Sequence, residues 1–174
     1  MTEYRHNDYF ESYYSAHKWW QEMKNRINSK TEKEKELDRN LIEQIGPEDR
    51  NSFDLEKIKS LVESGATPDH WVKNAQYGDR SNAILLASLN KNEQANPTLE
   101  YLMLKFPNFV NKEENMESPL SFALRNGDLK KTKLIVKMKN SINPIYCFMR
   151  FCEKLTDEEK MEVISEIDEI YNLK

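Results

Sequence analysis

From Leu37 to the carboxyl terminus the apolar residues fall into short runs at helical spacing, and a turn signal cuts off each run before it grows long. Leu37, Leu41, Ile42 and Ile45 make the first run, which Gly46-Pro47 ends. Leu55, Ile58, Leu61 and Val62 make the second; Asp54 is placed to cap its start, and Gly65 to end it in the left-handed conformation. The pattern recurs over 83–89 and 99–104, again over 119–124 and 129–136, and in a last pair over 145–155 and 157–171. Short amphipathic helices joined by short loops have nowhere to bury their apolar faces except against one another. The expectation is an all-α fold built from antiparallel helix pairs. With only four glycines and six prolines in 174 residues, the chain lacks the many tight turns of an all-β domain.

The amino-terminal segment is different. Tyr9, Tyr13, Ala16, Trp20, Met23 and Ile27 stand at spacings of four, three, four, three and four, the stripe of an amphipathic helix over 8–27. Phe10, Tyr14 and Trp19 lie off that stripe and widen its aromatic face. Residues 29–36 contain no apolar residue and alternate Lys with Glu, which reads as a solvated helical extension or a linker. The expected division is therefore residues 1–36 as an amino-terminal helix and charged linker, 37–143 as about three repeats, and 144–174 as a closing helical pair.

Composition narrows the functional classes. A net charge of -4, with both signs interleaved, makes nucleic acid an unlikely partner. The apolar runs are short, the longest near 83–87, so neither a membrane span nor an apolar signal core is expected. Cys147 and Cys152 are the only cysteines; read on one helix they point to different faces, which suits reduced, buried thiols in a cytoplasmic setting.

The stretch from Ser118 to Leu129, Ser-Pro-Leu-Ser-Phe-Ala-Leu-Arg-Asn-Gly-Asp-Leu, resembles the ankyrin-repeat signature, and it continues with Leu134-Ile135-Val136 and Ile142-Asn143. Val110-Asn111 gives the same ending 32 residues earlier, close to the family period of roughly 33. Residues 54–66 are similar to the second helix and closing glycine-alanine of an earlier repeat. In the middle repeat, Asn82-Ala83-Ile84-Leu85-Leu86-Ala87 lacks the family's proline and histidine; residues 91–97 read as a lengthened inter-helix loop and 68–81 as an extended finger. The residues also make physical sense on their own. Ser118 can cap a helix, Pro119 suits its first turn, Ala123 permits close approach of a neighbouring repeat, and Gly127 permits a sharp turn.

The resemblance implies an ankyrin-like solenoid with projecting fingers and a concave protein-binding side. It carries no catalytic residue and no cofactor. By position, partner-binding residues would be Gln76, Tyr77, Asp79 and Arg80 on the long finger, and Lys112, Glu113, Glu114, Asn115 and Glu117 on the next. Arg125 and Asn126 would join them, with Leu89 and Asn90 at the matching place in the middle repeat. Phe10 and Trp19 are further contact candidates, while the rest of the aromatic helix would cap the stack. The implied function is a non-catalytic protein-protein interaction module, such as a stand-alone inhibitor or effector of viral or bacterial type, whose partner is another protein. Self-association through the aromatic helix is a structural alternative.

A reading of another class is a small helical enzyme or nucleic-acid-processing factor with a site near 68–81, around Asp69, His70, Asp79 and Arg80. Adjacent residues such as Asp69 and His70 seldom face each other, and no nucleophile motif accompanies them. His6, His17 and His70 lack metal-ligand spacing, so no metal site is expected.

Overall fold

The computed structural model describes residues 18, 21–22, 24–46, 53–73, 80–107, 118–138 and 144–171; the side chains of Lys73 and Arg80 are outside the description. Residues 24–29 are helical. The chain breaks at Lys30 and re-enters helix through a capping box, in which the Thr31 hydroxyl accepts from the Glu34 N–H at 3.3 Å and the Glu34 carboxylate accepts from the Thr31 N–H at 2.7 Å. This cap starts α1 (Glu32–Ile45) five residues before the apolar run begins. The charged stretch is thus the end of one helix and the start of the next, which fits the helical of the two alternatives.

α2 (Leu55–Glu63) follows, capped by the Asp54 carboxylate accepting from the Lys57 N–H at 3.0 Å. A two-residue antiparallel ladder comes next, pairing β1 (Val72–Lys73) with β2 (Arg80–Ser81). The remaining helices are α3 (Ala83–Leu89), α4 (Ala95–Lys105), α5 (Pro119–Asn126), α6 (Leu129–Lys137), α7 (Pro144–Phe151) and α8 (Asp157–Tyr171), with a 3-10 turn (Cys152–Lys154) between the last two. The fold is all-α apart from that ladder among the described residues.

Two expectations need correction. Residues 95–97 belong to α4, because a proline in the first helical turn gives up an N–H that has no intrahelical partner anyway. The helix expected over 145–155 stops at Phe151, so Cys152 lies in the 3-10 turn. Both cysteines are free; Cys147 is buried and Cys152 partly so.

The helices pack as four pairs in two rows. α1 meets α2, α3 meets α4, α5 meets α6 and α7 meets α8. The first helices also touch in succession, α1 with α3, α3 with α5 and α5 with α7, and so do the second helices, α2 with α4, α4 with α6 and α6 with α8. The core runs along both rows: Leu41 and Ile45 of α1, all of α3, Leu99 and Leu102 of α4, Phe122 and Leu124 of α5, Ile135 of α6, and Val163 and Ile167 of α8. α3 is buried on every side because two rows of neighbours enclose it, which is why its sequence, Ala-Ile-Leu-Leu-Ala-Ser-Leu, has no polar face.

Candidate partner-binding surface

Where one pair meets the next, the helix ends decide the geometry. α5 begins with the Ser118 hydroxyl accepting from the Ser121 N–H at 3.1 Å and with Pro119 in the first turn. It ends in a Schellman arrangement: the Asp128 N–H reaches the Ala123 carbonyl at 3.0 Å and Gly127 sits at φ +69°. α2 ends in the same way, the Ala66 N–H reaching the Leu61 carbonyl at 2.9 Å around Gly65. α3 has no such glycine. Asn90 turns the chain extended, and two asparagine side chains hold the following loop, Asn90 accepting from the Asn92 N–H at 2.8 Å and Asn92 from the Gln94 N–H at 3.0 Å.

The carbonyls left over at the end of α3 are taken up by the next pair. The Asn126 amide donates to the Leu89 carbonyl at 2.9 Å, and the Lys131 ammonium donates to the Asn90 carbonyl. Lys131 is 0% exposed, with the Asp128 carboxylate 3.4 Å away. Burial pulls its pKa below the ordinary lysine value, and Asp128 opposes that shift. A cation here sits at the negative end of α3, where the helix dipole favours it.

Three of the sequence-derived contact residues fall in this seam. Asn90 is 1% exposed and Leu89 is buried, so neither is offered to a partner; their carbonyls are covered by the neighbouring pair. Asn126 is half-buried and spends its amide on Leu89. Arg125 is half-buried too, its guanidinium stacked 4.3 Å from the centre of the Phe151 ring. Gln76, Tyr77, Asp79, Lys112, Glu113, Glu114, Asn115, Glu117, Phe10 and Trp19 lie outside the described residues, as does the side chain of Arg80. The ladder matches Val72 with Ser81, which brings the chain on either side of 74–79 together, and Trp71 and Val72 pack against the core.

At the base of that finger is an ionic cluster that the sequence does not announce. Asp69, buried, receives both Arg26 Nε and Nη2, and Lys30 Nζ lies 2.9 Å from its second oxygen. Lys30 also pairs with buried Asp38 of α1, whose other oxygen accepts from the Thr67 N–H at 2.7 Å. Helix 24–29, α1 and the segment after α2 are thereby tied together. Burial alone would raise the pKa of Asp69, but the hydrogen bonds and charges of Arg26 and Lys30 outweigh it and hold the carboxyl below its ordinary value. His70 is half-buried, and burial followed by the charge of Arg39 lowers its pKa against the pull of Asp38 and Glu43. With its oxygens engaged by two cations, Asp69 is a structural anchor. His6 and His17 lie outside the described residues. Among the described residues no group of three or more His, Cys, Asp or Glu side chains is placed to hold a metal, and no helix is long and apolar enough to cross a membrane.

The class these features define is an all-α protein whose successive helices contact one another in pairs. No protein-family model matches the chain, and neither a curated protein nor a solved structure matches it significantly.

Proposed function

We propose that this chain is an ankyrin-like helical solenoid acting as a non-catalytic protein-binding module, a stand-alone inhibitor or scaffold that grips its target along one edge of the stack. The observation that carries the reading is the double row of helices, in which each first helix touches the next first helix and each second helix the next second one. Such a stack offers an extended, rigid surface whose exposed positions can vary while the core is kept. The Ser118-Pro119 cap, the left-handed Gly65 and Gly127, and the paired strands between α2 and α3 support the same reading. The engagement of Asp69 by Arg26 and Lys30 is in keeping with a structural role for that carboxylate.

The test is affinity capture from cytosol with the intact chain as bait, set beside Tyr77→Ala/Asp79→Arg and Glu113→Lys/Glu114→Lys. Arg125 is avoided, since its stacking on Phe151 makes any substitution a folding variant as well. A saturable partner whose capture falls in one or both variants is expected. A partner retained equally by both would move the interface away from the fingers, and no partner at all would sink the reading.

A further inference from the structure

The last helix pair carries exposed apolar side chains. On α8, Asp157, Met161, Ile164 and Asp168 stand at spacings of four, three and four, one line along the helix, and all four are exposed, Met161 at 66%. At 3.6 residues per turn that line stands roughly 110° around the helix from Val163 and Ile167, which are buried where α8 packs on α6. On α7, Ile145 and the 76%-exposed Met149 stand on a different face from Cys147 and Phe148, which are buried where α7 packs on α5. Both lines thus stand apart from the residues that pack the last pair onto the stack.

The charge of α8 is mostly of one sign, while α7 contributes the exposed Arg150. α8 has seven acidic residues and a single lysine. On the α6 flank Lys133 pairs with Glu162 at 3.1 Å and Lys137 with Glu166 at 3.3 Å, and within the helix Lys160 lies 3.1 Å from Asp157. The last is an exposed pair, worth little against a competing partner. The outer line thus reads acid, apolar, apolar, acid. A second copy meeting this face with its own would set the same acids against each other, which disfavours self-pairing.

We propose that this end face docks a basic amphipathic helix of a partner protein. Its apolar residues would stand at i+4 and i+7 between Lys or Arg at i and i+11, the two charges about 16 Å apart along the helix axis. Met149 and Met161 suit the task, because an unbranched thioether adapts to the side chain it meets. The site is separate from the finger edge, so each can fail without the other.

The test uses two synthetic helical peptides on an alanine-glutamine background, Lys-x3-Leu-x2-Leu-x3-Lys and its Glu-for-Lys counterpart, titrated against the full chain by fluorescence anisotropy. The Lys peptide should bind at least about tenfold more tightly than the Glu peptide. Met149→Glu/Met161→Glu should abolish that binding, and Asp157→Lys/Asp168→Lys should reverse the preference. These positions are exposed, and unchanged melting of each variant certifies its fold. Equal affinity for the two peptides, no binding of the Lys peptide, or an unreversed preference in the charge-swapped variant would overturn the proposal. Concentration-dependent self-association that disappears in the methionine variant would give the face to a second copy and overturn it as well.

Discussion

Gly127 stands at φ +69° and ψ +28°, the left-handed region, at the turn from α5 to α6. A β carbon built there would lie 3.0 Å from Lys154 Cβ and 3.3 Å from the Lys154 carbonyl oxygen, in the 3-10 turn of the neighbouring pair. Two costs therefore act on Gly127→Val. An L-residue held in the left-handed region costs about 1–2 kcal/mol, and a β-branched one stands at the upper end. The contact with Lys154 adds an overpacking cost of about 1–3 kcal/mol, because backbone has to give way as well as side chain. The sum, about 2–5 kcal/mol, should lower the melting temperature by roughly 6–15 °C in a chain of this size. Two further variants separate the terms. Gly127→Asn keeps the β carbon against Lys154 but tolerates the left-handed region better, so it should fall between wild type and Val. Gly65→Ala at φ +105° meets nothing within 4 Å and carries the backbone cost alone. Thermal melts followed by circular dichroism decide the matter: a Gly127→Val protein melting within about 2 °C of wild type would refute both the turn assignment and the packing of the third pair on the fourth.

Two other perturbations probe the polar seams. Asp69→Asn should cost about 1–3 kcal/mol at neutral pH, below the usual toll for a broken buried pair because Arg26 is 43% exposed and Lys30 keeps Asp38. Since the folded-state pKa of Asp69 is depressed, its contribution is present above the unfolded value of about 3.9 and is lost as pH falls through the folded one. The stability gap between wild type and Asn, measured by urea titration, should therefore close below about pH 4; a gap independent of pH would break the assignment. Lys131→Met preserves most of the stem but leaves the buried Asn90 carbonyl without its ammonium donor, which should destabilise by about 1–3 kcal/mol. A Met variant as stable as wild type would mean that burying the charge costs as much as the cap returns.

What the sequence made legible is what local chemistry writes. Ser118-Pro119, Asp54, Gly65 and Gly127 act within four residues of themselves, and the structure places each at the helix end its type demands. The almost wholly apolar stretch 83–89, with Ser88 its one polar residue, became the helix enclosed on all sides. The misreadings come from long-range pairing or from a local signal passed over. Thr31 followed by Glu34 is a capping-box pattern inside the charged run, and it would have located the start of α1. Nothing near Lys30 foretells Asp69, 39 positions away. Asn90 looked exposed because a polar residue after a helix usually is; the cover comes from Asn126 and Lys131 of the next pair. The candidate contacts on the fingers were legible as charge and aromatic character only.

The polar seams have a physical role that the apolar rows cannot fill. Apolar faces of adjacent helix pairs attract without direction and tolerate a shift by a turn with modest loss of buried area. A lysine donor beneath the last carbonyls of α3 and an amide on Leu89 do not: a shifted partner would leave a buried cation and buried carbonyls unpaired, at a cost of several kcal/mol. The Arg26, Lys30, Asp38 and Asp69 cluster imposes the same all-or-none condition at the first pair. Among the described residues the outer line of α8 forms no comparable lock: Met161 and Ile164 stand exposed between Asp157 and Asp168, and an unbranched thioether adapts to whatever it meets.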